Sequence, residues 1–460
     1  MQKIEKINME QMLLLFQDLA KHILQEDKET PNSPHLSVTD LWDTIDLTFT
    51  ENGVESSKLK EDLLQLMKYT PKTASKTFFN QLFGGRMPEA ILGDLIAVML
   101  NNSMYTYKAA GAQVGAEKAI TNKVLDLINW GDGGGTLAPG GSMANFMGML
   151  MARDAKDASI KMEGSSTNLR VYTSEVSHYS TPKNAAFAGI GRNNVVKVRA
   201  NERGEMDMDH LEDCILNDMA NGKTPFLINC TAGTTVLGAF DNIDLASSIA
   251  KKYELWLHVD GAYCGAVILS EKYKHLMNGI EKADSFCFNA HKMLGTSLSC
   301  SLIFAKNKEY LYDSFSNPAE YLYQTDEDDY NLGKISLQCG RRNDALKLWT
   351  LWKSIGNQGM EKLVNAQFDW ANYALEYVKN NSDYEVYSFD NSVSVCFNYK
   401  GIPANQLCTE LYEQSVLMVG YGQFDGKEFV RMVTVNTNLS KQAIKDFFEQ
   451  LEKVAENVFV

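Results

Sequence analysis

What most limits how this chain can fold is a rhythm that begins near residue 110. Short β-branched runs, "NLRVYTS", "NVVKVRA", "PFLINCTAGTT", "ELWLHVDGAY", "SFCFNAH" and "SCSLIFAK", alternate there with stretches of helical period. Strands of this kind, separated by helices, predict an α/β fold with a mostly parallel central sheet covered by helices, because each crossover lays a helix over the sheet. Ligands of such sheets gather at the carboxyl ends of the strands. One unit is fully legible: strand "PFLINC", helix "NIDLASSIAKKY" with Leu245, Ile249 and Tyr253 on one face, then strand "ELWLHVD".

The flanks read differently. Residues 1–100 form a helical segment, with Ile4, Ile7, Leu14 and Leu15 near helical spacing and "SVTDLWDTIDL" and "KLKEDLLQLMKY" after them, yet without a core of their own. The large α/β domain spans 101–345. In 346–460 a long helical stretch precedes a small α+β domain, where Val393, Val395, Phe397 and Tyr399 alternate, two strands flank an Asp425-Gly426 turn, and a final helix starts at about Lys441. A chain of 460 residues exceeds the size at which one core stops growing. The net charge of -14 argues against a nucleic-acid surface, and no run approaches the roughly 18 apolar residues of a membrane span. The first residues lack the pattern of a secretory signal, and the eight cysteines occur without a CxxC pair, mostly in apolar runs. The expectation is a cytoplasmic enzyme with reduced thiols and no metal site. The acidic "TDEDDYNLGK" is expected to be its most mobile loop.

Three features of the sheet domain could carry chemistry. In "GDGGGTLAPGGSMANFMGMLMARD" a glycine-rich turn opens a helix with Met143, Phe146, Leu150 and Met151 on its apolar side. The exposed N–H groups of such a helix start attract anions, so Ser142 and Met143 are candidates to hold a phosphate; glycines also mark ordinary surface turns. Asp260 ends the strand of "LWLHVDGAY", where a carboxylate needs a cation or donors: a helix cap, a structural ion pair, or the partner of a protonated heterocyclic nitrogen. Lys292 follows His291 in "FCFNAHKMLG", 32 residues after Asp260. It is either a lysine just past a strand or a buried amine that loses its proton and bonds to an aldehyde. Together the three supply phosphate, ring-nitrogen and aldehyde contacts for one cofactor, pyridoxal 5'-phosphate.

In "FNQL", "SEVSHYS", "NERG", "TAGTTVLGAFD", "HVDGAY", "NAHKMLG", "LQCGRR" and "FVRMV" the chain resembles the pyridoxal-phosphate-dependent group II amino acid decarboxylases, in their glutamate and cysteine sulfinate branch. The likeness runs from "TFFNQLFGG" to the last helix. It implies fold type I and a homodimer with active sites at the interface, the N-terminal segment packing on the partner. It also implies that Lys292 forms the Schiff base, Asp260 holds the ring nitrogen, and His178 and Ala262 lie against the two ring faces. Ser142, Met143, Asn289 and His291 would surround the phosphate, helped across the dimer by the Gly340 region, with Thr231 near the ring hydroxyl. Taken singly and without the resemblance, His178 reads rather as a hydrogen-bonded core histidine, Thr231 as an ordinary strand residue and His291 as a surface neighbour of Lys292.

The implied reaction is α-decarboxylation of an acidic amino acid to its amine. Tyr330 on the acidic loop is the candidate proton donor. Arg431, assisted by Gln81, would read the side-chain acid of glutamate, aspartate or cysteine sulfinate. Ser103 and Tyr105 stand where the branch varies, and Ser103, "FNQLFGG" and "CGRR" resemble the sulfinate and aspartate members. Ala290 replaces the usual proline of the lysine motif, "DGAYCG" a "DAAWGG"-like stretch and "TYKAAG" a "TYEIAP"; the last two bear on the pocket. A lyase or aldehyde-forming reaction on the same cofactor is the alternative.

Overall fold

Seven strands form the sheet that the rhythm calls for, in a computed structural model that describes residues 8–30, 32–164, 168–317, 323 and 327–459. They are β1 (Gly134–Ala138), β2 (Leu169–Ser174), β3 (Val195–Val198), β4 (Thr224–Thr231), β5 (Trp256–Gly261), β6 (Ser285–Asn289) and β7 (Ser301–Ala305), in the spatial order β1-β7-β6-β5-β4-β2-β3. The pairs from β3 to β6 are parallel, and β7 runs antiparallel to both neighbours. Both faces are buried: Leu227, Cys287 and Ile303 join one core cluster, while Ile228, Phe286 and Leu302 join another. That is the burial expected of strands with helices over each face.

Strand β1 was not legible as a strand, because "GGTLA" lacks β-branched side chains at its start. Its glycines are there for fit: a Cβ on Gly135 would stand 2.5 Å from the Phe304 ring of β7. Two helix faces also differ from expectation. The helix Gly141–Lys156 buries Ala144, Met147, Gly148 and Met151, with Met143, Phe146 and Leu150 only part-buried, since it is packed on several sides by the sheet and by neighbouring helices. The helix Ile243–Tyr253 turns Ile243, Ala246 and Ala250 inward and leaves Leu245 exposed. "SVTDLWDTIDL" makes only the single turn Leu41–Thr44.

The C-terminal part of the chain holds a small four-stranded antiparallel sheet of β8 (Tyr384–Val386), β9 (Ser394–Tyr399), β10 (Gly420–Phe424) and β11 (Lys427–Val433), ordered β10-β11-β9-β8. The β10–β11 hairpin turns at Asp425 and Gly426, both with positive φ. The final helix, Lys441–Val458, is capped by Ser440 Oγ and buries Phe447, Phe448 and Leu451. A long helix, Ala345–Lys379, stands between the strands of the two sheets in chain order and bends at Gly356, whose φ of 65° a side chain would resist. Met9–Glu29 and Ser56–Tyr69 bury no residue, whereas Phe79, Leu82 and Ala90 of the N-terminal segment join core clusters of the rest of the chain; Ile4 and Ile7 lie outside the described residues. The helix Pro88–Leu100 buries only Ala90, Gly93 and Ala97, and exposes Leu92, Val98, Met99 and Leu100 by more than half.

Candidate active site

Parallel register aligns the strand ends. Thr231 of β4 pairs with Asp260 of β5, and Asp260 with Cys287 of β6. Over these ends lies a cavity of about 220 Å³. Asp260, Thr231 and Ala262 line it from β4 and β5, and Asn289, His291 and Lys292 from the end of β6 and the short turn Ala290–Met293. Ser142 enters from the helix start and His178 from the loop after β2. Segments up to 150 residues apart in sequence thus meet because they share one edge of one sheet.

Burial lowers the pKa of Lys292 below the ordinary lysine range, although the Asp260 carboxylate opposes this. Its Nζ stands 5.7 Å from the Tyr263 ring centroid. Asp260 is 4% exposed, and its Oδ1 accepts the Ala262 N–H at 3.0 Å. His178 Nδ1 accepts the Ser180 N–H at 3.2 Å and lies 2.7 Å from Ser180 Oγ; burial pushes its pKa down. His291 Nδ1 accepts the Cys300 N–H at 3.0 Å, and burial, with help from the Lys292 charge, takes its pKa to about 4. Both rings are therefore neutral near pH 7.

The cavity has the polar gaps of a cofactor site. Among the described residues Thr231 Oγ1 and Asn289 Oδ1 are buried without a hydrogen-bond partner, a costly state unless a ligand meets them. A Cβ on Gly141 would stand 2.6 Å from Asn289 Nδ2 and 3.2 Å from Ala262 Cβ, so only glycine lets the helix start approach the strand ends. The Met143 and Ala144 N–H groups close onto the Gly140 carbonyl at 3.1 and 3.0 Å. This leaves the N–H groups of Gly141 and Ser142 for an anion. Met143, expected beside the phosphate, is not part of the lining; Gly141 stands there instead, as do Asn145 and Tyr263, which the sequence reading missed. The doubled glycine of "APGGS" was the available signal for Gly141.

Other expected residues lie outside the lining. Arg431 stands next to it: its two terminal nitrogens donate to the Thr235 carbonyl at 3.0 Å and the Asn80 carbonyl at 2.9 Å, and Thr235 lines the cavity. Gln81 is an exposed neighbour of Asn80. Ser103, Tyr105, Tyr330 and Gly340 gather in a separate group. Ser103 Oγ accepts the Arg341 N–H at 3.1 Å, the Tyr105 carbonyl accepts the Gly333 N–H at 2.8 Å, and Tyr330, 38% exposed, meets the Tyr107 ring edge-on at 5.8 Å. Thr325 and Asp326 of the acidic loop lie outside the described residues. A larger cleft, about 760 Å³, opens between Arg203, the start of the helix Ile243–Tyr253 and Phe389–Ser392, and contains none of the expected residues.

Fold and site together define a pyridoxal-phosphate enzyme of the decarboxylase class. The family described as "Pyridoxal-dependent decarboxylase conserved domain" matches residues 39–400, and the chain belongs to that family. Mouse cysteine sulfinic acid decarboxylase is 35% identical over 443 residues, covering 91% of this chain and 90% of the relative. Acidic amino acid decarboxylase GADL1 of Xenopus tropicalis is 33% identical over 438 residues, covering 90% and 86%. The crystal structure of mouse CSAD superposes with a TM-score of 0.92 at 32% identity, covering 97% of this chain and 100% of that one. The chain is an amino acid decarboxylase whose cofactor is pyridoxal 5'-phosphate.

Proposed function

We propose that this enzyme removes the α-carboxylate of an acidic amino acid, giving the amine and carbon dioxide, and that it works in the cytoplasm as a homodimer. The observation that carries the reading is the meeting of the Lys292 amine and the buried Asp260 carboxylate in one cavity, with the Arg431 guanidinium held beside it. Bound pyridoxal phosphate supplies an aldehyde that joins to amines and a protonated ring that draws off the electron pair left as carbon dioxide departs. Lys292 offers the amine, and burial favours its neutral, nucleophilic form. Asp260 uses Oδ1 for the Ala262 N–H, which leaves Oδ2 to hold the ring nitrogen protonated. His178 and Ala262 would lie against the two ring faces, where a neutral imidazole does not repel a cationic ring. Gly141, Ser142, Asn289 and His291 would hold the phosphate, and Thr231 would meet the ring hydroxyl.

Arg431 has five N–H donors and spends two on backbone carbonyls, so a distal acid group can still be held in two-pronged fashion. The names of the relatives support an acidic substrate, and one of them is a cysteine sulfinic acid decarboxylase. Tyr330 returns the proton to Cα. Because Tyr330, Ser103, Tyr105 and Gly340 stand apart from this chain's own cavity, we assign them to the cavity of a second copy. The exposed apolar faces of Pro88–Leu100 and Met9–Glu29 are what such a copy would cover. Buried free thiols at Cys230, Cys264, Cys287, Cys300, Cys396 and Cys408 suit a reducing compartment. The test is incubation of purified enzyme and cofactor with cysteine sulfinate, aspartate, glutamate and tyrosine, measuring carbon dioxide and amine together. Equal yields from an acidic substrate support the reading; carbon dioxide without amine rejects it in favour of aldehyde formation.

A further inference from the structure

Behind Asp260 runs a buried chain of polar side chains with no part in the chemistry described above. Trp256 Nε1 donates to Ser285 Oγ at 2.8 Å, and that oxygen lies 2.8 Å from His258 Nδ1. Ser285 is wholly buried, and among the described residues Nδ1 is the acceptor its hydroxyl hydrogen reaches. His258 therefore carries its own proton on Nε2, which donates to Asn145 Oδ1 at 2.8 Å. Cys287 Sγ donates to the same oxygen at 3.0 Å. Burial takes the His258 pKa to about 4, so the ring is neutral and this polarity persists at pH 7.

Two donors occupy the Asn145 amide oxygen, so the amide cannot flip: reversed, its NH2 would face the Nε2–H head-on in a dry interior. Its NH2 is left without a protein partner among the described residues, while the side chain lines the cofactor cavity at 7% exposure. Asn145 stands one turn into the helix whose first N–H groups, on Gly141 and Ser142, face that cavity. Cys287 Sγ ties it to the β6 side, where Asn289 and His291 also lie, across the cavity floor from Thr231. Asn145 thus shares its helix and the cavity lining with Gly141 and Ser142, and the lining with Asn289 and His291, the residues that would hold the phosphate arm of a bound pyridoxal phosphate.

We propose that Asn145 is a further cofactor-binding residue, its amide N–H donating to the phosphate arm, and that His258 is the positioning residue that fixes the amide in that orientation. The inference rests on the cavity being the cofactor site. Asn145→Ala, Asn145→Asp, His258→Leu and His258→Gln apoproteins are titrated with pyridoxal phosphate and with pyridoxal, which lacks the arm, and the dissociation constants read from the visible absorbance. A charge-assisted hydrogen bond is worth about ten- to hundredfold in binding. Asn145→Ala and Asn145→Asp are expected to weaken pyridoxal phosphate by at least about tenfold and pyridoxal by less than about threefold. His258→Leu should follow them, and His258→Gln, which keeps a donor, should restore most of the affinity. Melting curves of the apoproteins confirm folding; Asn145→Ala carries the test where the charged variant does not fold. Equal loss for both ligands, or none for either, overturns the proposal, since a merely structural role would not distinguish them. Wild-type protein that develops no absorbance with either ligand would instead overturn the cofactor-site reading beneath it.

Discussion

Replacing Arg431 with alanine should separate substrate recognition from cofactor binding. The guanidinium gives one donor each to the Thr235 and Asn80 carbonyls, and its Nε is buried without a partner among the described residues, so three of its five donors remain for a ligand. Two charge-assisted bonds to a distal carboxylate or sulfinate, each worth about 1.5–3 kcal/mol, sum to roughly 3–6 kcal/mol. At about 1.4 kcal/mol per tenfold, kcat/KM for the acidic substrate should fall by roughly 10²- to 10⁴-fold in Arg431→Ala. The Thr235 and Asn80 carbonyls lose bonds from a charged donor, each worth about 1.5–3 kcal/mol before water takes the donor's place, so the variant should melt lower than wild type. Binding of pyridoxal phosphate should be unchanged, because no cofactor contact is assigned to Arg431. The assay pairs initial rates over a substrate series with cofactor titration of the same preparation. A fall of less than tenfold in folded, cofactor-loaded protein would refute the role given to Arg431.

Mixing Lys292→Ala with Tyr330→Phe protein, each inactive alone, should restore about a quarter of wild-type activity if random heterodimers form one intact site in two, and nothing if both residues serve the same chain's site. In Gly141→Ala the new Cβ meets Asn289 Nδ2 at 2.6 Å, so cofactor titration should show at least about tenfold weaker binding while the apoprotein melts within a few degrees of wild type. Three buried groups set an acid response. His258 and His291, lowered to about 4 from 6.5, contribute stability that is present above pH 6.5 and lost as pH falls through 4; Asp241, raised to about 7, contributes stability that is present below pH 3.8 and lost as pH rises through 7. Between pH 4.5 and 6 two protons oppose one, so urea unfolding of the apoprotein should gain about 1.4 kcal/mol per pH unit from these groups, and His258→Gln should flatten that slope.

The sequence by itself determined the layered sheet, since runs such as "PFLINC" and "SFCFNAH" are apolar on both strand faces and bury without a partner strand's identity being known. It also singled out Lys292 and Asp260, because a cation and a carboxylate at the ends of such strands need a ligand or each other, and both line one cavity. Strand β1 escaped because glycines chosen for close packing against Phe304 carry no periodic signal. The buried face of Gly141–Lys156 escaped because a helix packed on several sides does not advertise one stripe, and that of Ile243–Tyr253 because its inward positions include the small Ala246 and Ala250 while Leu245 points outward. Only the tertiary structure decided which residues share the cavity. Parallel register set Thr231, Asp260 and Cys287 side by side, and the approach of one helix start to Asn289 brought Gly141 and Asn145 in while leaving Met143 out. Contacts between residues a hundred or more positions apart depend on register, crossing angle and side-chain fit, and none of these is a property of any local stretch of chain.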